Sequence, residues 1–201
     1  MSWISTVSYA VSSGKLRALF DRVKRPDGYI DNILLVHGLR PHTLEGHMKL
    51  YKNVLHHSGN TIPKWFLETL GVYVSALNEC AYCVEHHFAG LKKVLENDTR
   101  AEAIRNALKQ KNFDSVFDEK ERSALFYAEQ LTLHPAALTD AFVEAMRSQG
   151  WEDGQILEIN QVVSYFSYAN RTVLGLGVSL DGDVLGLSPN DASDSDNWQH
   201  S

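Results

Sequence analysis

Two cysteines, Cys80 and Cys83, stand in a C-x-x-C frame, and His87 follows the second by four residues. On a helix, positions i, i+3 and i+7 share one face, so both thiols and the imidazole would point the same way. Helical neighbours at i and i+3 lie roughly 5–6 Å apart, inside the Cα window that a disulfide accepts. A C-x-x-C at a helix start beside an imidazole lowers a thiol pKa. The chemistry on offer is a dithiol/disulfide redox cycle.

A carboxylate belongs to the same constellation. Glu68 lies ten residues before Asn78 and His87 nine after it. If the chain breaks at Asn78 and two helices fold back antiparallel, Glu68 and His87 stand at nearly the same height. Glu68 would then accept a hydrogen bond from His87, fix its tautomer and raise its basicity, and His87, one turn from Cys83, would draw off a thiol proton. Carboxylate, imidazole and thiol in series are a standard way to activate a nucleophile. Cys83 or Cys80 attacks, the other resolves the product as a disulfide, His87 moves protons and Glu68 orients His87. Attack on a peroxide gives a sulfenic acid that the neighbouring thiol condenses with.

Other readings of these residues stand beside it. Two cysteines can be inert buried side chains. Cys80, Cys83 and His87 could supply three zinc ligands, with His86, His56 or His57 a fourth, but structural zinc usually draws on two separated ligand pairs and the second is missing. The frame could also serve a redox sensor or a disulfide-exchange module without peroxide turnover, or the fold could be a non-redox lyase or binding scaffold. Glu79, Glu85 and His86 read as exposed or as supporting residues, and Tyr82 as packing or as a hydrogen-bonding neighbour of the thiols. His37, His42, His47 and His134 form no usable pattern. Asn170-Arg171 stands out in an apolar stretch as a buried polar anchor or an interface pair.

The elements that must position this site read as helices throughout. One or two short helices cover Trp3 to Val23, and Arg25-Pro26-Asp27-Gly28 is a turn signal. Ile30 to Leu39 reads as a helix ended by Pro41. Thr43 is a candidate cap for the next, with Leu44, Met48, Tyr51, Val54 and Leu55 along one face. Pro63 suits the first turn of a helix over Trp65 to Leu77. Asn78 is a candidate N-cap for Glu79 to Leu95. Further helices follow from Asp98 to about Lys109, from Asp118, whose pairing with Glu121 makes a capping box, to about Leu131, over Asp140 to Arg147, and over Ile156 to Gly175. The β-branched runs at Val72 and Val162 sit inside 3.6-residue patterns, so the fold class is all-α. Residues 1–187 form a single domain, and the polar stretch 188–201 is expected to be a disordered tail. Leu67, Glu68 and Val72 match Leu157, Glu158 and Val162 at an offset of ninety residues, which raises the expectation of an internally duplicated helical hairpin.

The 201 residues suffice for one domain with a real core. Hydrophobic residues at 44% and charged ones at 22% are ordinary for a globular chain. A net charge of −6 disfavours nucleic acid or an anionic membrane as partner. No apolar run approaches the ~20 residues of a membrane span, and the N-terminus carries no signal-peptide pattern. A reducing cytoplasm is the expected compartment, where a C-x-x-C is catalytic or metal-binding more often than structural. The reading requires no cofactor and no metal.

Glu68, eleven residues, then Cys80-Ala81-Tyr82-Cys83-Val84-Glu85-His86-His87 resembles the E-x11-C-x-x-C-x-x-x-H pattern of the alkylhydroperoxidase D-like, or carboxymuconolactone decarboxylase-like, superfamily, in particular its peroxidase-related branch. The stretches Phe126 to Thr132 and Tyr165 to Arg171 are similar to that branch too, so the resemblance runs from about Leu16 to Val178. It implies an all-helical, usually oligomeric enzyme that reduces hydroperoxides through two thiols and is itself reduced by a dithiol donor. Cys83 would be the peroxidatic cysteine, Cys80 the resolving one, and Glu68 and His87 the proton-handling pair. Tyr82 stands where such relatives often carry a histidine. Tyrosine is a far weaker base near neutral pH, which implies a shortened proton relay and lower peroxidase activity. Decarboxylase members generally lack the two thiols, which counts against lactone decarboxylation.

Overall fold

The computed structural model describes residues 2–25, 27–187, 193–194 and 197–199. Among them every regular element is helical: α1 (Gly14–Val23), α2 (Asn32–Leu35), α3 (Pro41–Leu55), α4 (Lys64–Leu77), α5 (Ala81–Leu95), α6 (Asp98–Gln110), α7 (Glu119–Leu133), α8 (Asp140–Ser148) and α9 (Asp153–Leu176), with 3-10 turns at Tyr9–Val11 and Pro135–Ala137. The all-α class is as expected. No helix among the described residues is long and apolar enough to cross a membrane.

α4 is the axis of the fold. From Phe66 to Ser75 every residue is buried, as a helix without a polar face must be. Each large apolar side chain removed from water there contributes about 1.5–3 kcal/mol. α5 lies against α4 along its length, while α9 and α7 cover its other sides. The approach of α9 is set by Gly71, where a Cβ would come within 2.3 Å of the Phe166 ring. A larger residue at 71 would push α9 outward.

Several boundaries fall where local chemistry puts them. The Asp118–Glu121 capping box is present, and Asn97 caps α6 by accepting from the Arg100 N–H at 2.9 Å. Pro41 opens α3 instead of closing the preceding helix, because proline at a first helical position forfeits no needed N–H. The helix expected over Ile30 to Leu39 shrinks to α2 followed by turns. Thr43 lies inside the first turn of α3, and its hydroxyl donates to the Arg40 carbonyl at 2.8 Å.

The duplicated hairpin is not found. At the ninety-residue offset the break near Asn78 would recur near position 168, yet α9 runs unbroken from Asp153 to Leu176. The second half has no break at the register of Asn78.

Beyond Gly177, which ends α9 in a left-handed conformation at φ 62°, the chain returns across α2 and α5. The Asn32 amide donates to the carbonyls of Ser179 and Asp181, both at 3.0 Å. Most of the stretch expected as a tail, 188–201, lies outside the described residues. Of those described, Trp198 is buried with the Arg22 guanidinium 3.4 Å over its ring, and Lys52 donates to the Asn197 carbonyl at 2.7 Å.

Candidate active site

The site is made by the bend between α4 and α5. Asn78 closes α4, correcting the expectation that it opens α5. Glu79 takes a left-handed conformation at φ 57°. The Glu79 N–H reaches the Ala76 carbonyl at 3.1 Å and the Cys80 N–H the Ser75 carbonyl at 2.8 Å. These two bonds are a Schellman closure, which usually holds glycine at its left-handed position. Because Glu79 occupies that position, the N-cap of α5 falls on Cys80 and Cys83 lies in the helix's first turn. Both sulfurs therefore sit where the helix's free N–H groups and its positive dipole end favour a thiolate.

The antiparallel return brings the acid and the imidazole together. Glu68 Oε2 lies 2.8 Å from His87 Nδ1, and the carboxylate is almost wholly buried. A carboxylate only accepts, so Nδ1 carries the hydrogen and Nε2 keeps its lone pair. The Phe166 and His87 rings meet in a T-shaped pair, centroids 4.5 Å apart and planes at 88°, which holds the imidazole plane. His87, Glu68 and Cys83 all line one cavity of about 60 Å³, while Cys80 lies behind Cys83 and does not reach it. At ≳ 10–15 Å³ for each water-sized occupant, that space holds a few heavy atoms.

Cys80 is fully buried and Cys83 is 3% exposed, and both are free thiols. The Cys83 thiol beside it draws Cys80 down to about 7, against the opposing effect of burial and with help from the Cys83 backbone N–H and Asn170. Cys83 is pushed well up by Cys80 and by burial. The pair thus gives up one proton readily and holds the second. Charge favours Cys80 and access favours Cys83.

No family model matches the chain, and no curated protein matches it. Solved structures do. A peroxidase-related protein from Ralstonia eutropha JMP134, described as an alkylhydroperoxidase AhpD core, superposes with a TM-score of 0.75 at 22% identity, covering 89% of this chain and 91% of that one. A peroxidase-related protein from Silicibacter sp. TM1040 gives 0.66 at 24% identity, over 76% and 77% of the two chains. The debrominase Bmp8, bound to 2,3,4-tribromopyrrole, gives 0.64 at 18% identity, over 84% of each. The chain has the alkylhydroperoxidase D fold. Identities at this level carry the fold and leave the activity to be argued from the residues.

Around the thiols, the helical core contains polar groups of its own. Asn170, in the middle of α9, is fully buried. It accepts from the Asn78 amide and donates to Ser75 Oγ, both at 3.0 Å, and so ties α9 to the bend that carries the cysteines. The apolar stretch around it was the sequence signal, and the buried-anchor reading holds. Arg171 points to solvent.

Tyr82 is committed elsewhere. Its hydroxyl donates to Asp183 Oδ2 at 2.5 Å and accepts from the Ile33 N–H at 3.2 Å. Burial, then the Asp183 charge, pushes its pKa well up, so it takes no proton from a thiol. Asp183 also accepts from the Tyr29 hydroxyl and the Asn32 N–H, and His86 reaches it at 3.3 Å. This carboxylate fastens the returning C-terminal segment over α2 and α5. Nearby Asp31 is pushed up to about 6 by burial, then by the charge of Asp183.

Sequence reasoning missed Asp31, Asp183, His47 and Tyr165. His47 carried a weak signal, a histidine inside the apolar stripe of Leu44, Met48 and Tyr51 on α3. Asp183 carried none, since its partners come from three distant segments. Cys80, Cys83 and His87 do not converge as ligands, and no group of three such side chains among the described residues is placed to hold a metal ion.

Proposed function

We propose that this protein is a thiol-dependent peroxidase of the cytoplasm, acting through a Cys80/Cys83 dithiol–disulfide cycle on a small hydroperoxide and re-reduced by a dithiol donor. The observation that carries the reading is a single small cavity lined by Cys83 and by a His87 whose tautomer Glu68 fixes. The peroxidase-related fold neighbours support the same class of reaction.

In the reaction, Cys83 gives its proton to the Nε2 lone pair of His87 through the cavity. Its thiolate attacks the terminal oxygen of R–O–O–H. A sulfur–oxygen bond forms, the oxygen–oxygen bond breaks, and the sulfur is oxidised by two electrons as the peroxide is reduced. The departing R–O⁻ takes the proton held on His87 and leaves as an alcohol, or as water when R is hydrogen. Cys80 then releases its proton to solvent, its thiolate displaces hydroxide from the Cys83 sulfenic acid to form the disulfide, and the hydroxide takes a proton back from solvent and leaves as water. Two electrons and two protons from an external dithiol restore the thiols.

Access selects Cys83 for the attack, because a peroxide in the cavity touches Cys83 and not Cys80. The lowered pKa of Cys80 suits the resolving step, which needs a thiolate behind the oxidised sulfur. Peroxide consumption with wild type, Cys83→Ser and Cys80→Ser tests the proposal. Loss of at least about 10³-fold is expected for Cys83→Ser, the usual scale for a removed nucleophile. Equal rates for all three would remove the claim.

A further inference from the structure

The cavity has a second polar wall, built by α3 and α9 and separate from the hairpin that carries the thiols. His47 on α3 lines it and is 4% exposed; Tyr165 on α9 lines it and is also 4% exposed. Their rings lie 5.9 Å apart. His47 Nδ1 is sealed from solvent with no hydrogen-bond partner, and neither His47 nor the Tyr165 hydroxyl bonds to any described residue. The neighbouring His37, 5.1 Å away ring to ring, uses its Nδ1 on Thr43 Oγ1.

An orphaned buried N–H is rarer in proteins than an orphaned acceptor, so the His47 hydrogen belongs on Nε2, the edge left to the cavity. Burial, with His37 adding to it, draws the His47 pKa down to about 3, so the ring stays a neutral donor and a poor base. Burial also keeps the Tyr165 phenol protonated. His47 Nε2 and the Tyr165 hydroxyl are thus two donors without a protein acceptor on residues that line one cavity, which marks a place where an acceptor binds.

We propose that His47, assisted by Tyr165, donates the hydrogen bond that holds the leaving oxygen of the hydroperoxide while Cys83 attacks the other. The inference rests on the peroxidase reading and adds the substrate's orientation to it: the terminal oxygen toward α5, the R–O oxygen toward α3 and α9. As the oxygen–oxygen bond breaks, negative charge grows on R–O, and a preorganised neutral donor stabilises it before the His87 proton arrives. The buried carboxylates of Asp31 and Glu68 on the same cavity exclude anionic peroxides, so the substrate class is a small uncharged hydroperoxide.

The test uses the full chain with excess dithiothreitol and two oxidants. One is tert-butyl hydroperoxide, whose leaving group is a strongly basic alkoxide. The other is peracetic acid, whose leaving carboxylate needs little help. His47→Leu is expected to lower kcat/KM about 10–100-fold with the first, the scale of a hydrogen bond to a charged oxygen, and less than about threefold with the second. His47→Gln, which keeps an N–H donor, should recover most of the loss. Tyr165→Phe, which removes only a hydroxyl, should show a smaller loss with the same dependence on oxidant, and it decides the matter if the leucine variant fails to fold. Equal losses with both oxidants would mean a structural role and overturn the inference, as would unchanged kinetics in Tyr165→Phe and His47→Leu. Wild-type protein that consumes neither oxidant would remove the peroxidase reading and this inference with it, a result distinguishable from failure of the variants alone.

Discussion

Glu68 and His87, on antiparallel helices either side of the bend at Asn78, meet at 2.8 Å with the acid almost entirely out of water. That contact fixes which imidazole nitrogen is bare. Glu68→Gln keeps the shape and removes the charge. The amide can present its N–H to Nδ1 and reverse the tautomer. We expect kcat/KM for hydroperoxide to fall about 10–100-fold, as for lost hydrogen bonds to charged groups, with little change in Tm. A variant with wild-type kinetics would mean that His87 is not the proton acceptor.

The thiol pair predicts a pH profile. Cys80 ionises near 7 because the Cys83 thiol lies beside it. The ultraviolet absorbance of the thiolate, which needs no reagent to reach the buried sulfur, should therefore grow as pH rises through about 7. In Cys83→Ser the main cause of the lowering is gone, and the midpoint should move up toward the ordinary thiol range near 8.5. In Cys80→Ser the main cause that raises Cys83 is gone, so its midpoint should move down from its wild-type position. Ultraviolet pH titration of the three proteins checks both directions.

How much of this was legible depends on sequence distance. Glu68, Cys80, Cys83 and His87 lie within twenty residues, and one antiparallel turn is enough to assemble them. The helix periodicity and the capping box at Asp118 are equally local. His47 and Tyr165 share a wall only because α9 returns to α3 from the far end of the chain, and no spacing rule links them. The bend itself was placed but misassigned: Asn78 looks like an N-cap, and nothing local signals that Glu79 accepts the left-handed conformation and passes the cap to Cys80. The suggested duplication failed for a related reason, since matched residues at 67–72 and 157–162 give similar buried faces without a second break.

Asp31 makes a stability prediction. Its folded pKa of about 6 lies above the ordinary 3.8, so the folded state binds the proton more tightly. The stability it contributes is full below about 3.8 and is lost as pH rises through about 6. The groups facing it are Asp183, His86, Arg25 and Asp27. Asp31→Asn should therefore stabilise the protein at pH 7, by at most about 3 kcal/mol, with the gain gone by pH 4. Urea unfolding at both pH values measures it. A destabilised variant at pH 7 would show that the Arg25 contact outweighs burial.

Gly71 makes a packing prediction. Ala at 71 drives a Cβ to 2.3 Å from the Phe166 ring, and that ring also braces His87. We expect a loss of about 1–3 kcal/mol, as for other overpacked cores, together with reduced turnover. Calorimetry and the peroxide assay on one preparation test both effects.

The most direct measurement of the central claim is the mass of the reduced protein after one equivalent of hydroperoxide. Wild type should become two hydrogens lighter and lose both titratable thiols. Cys80→Ser should become one oxygen heavier, with the added oxygen on Cys83 captured by a sulfenic-acid reagent, and Cys83→Ser should not change on the same timescale. Wild-type protein that keeps both thiols, or a Cys83→Ser variant that reacts as fast as wild type, would contradict the account.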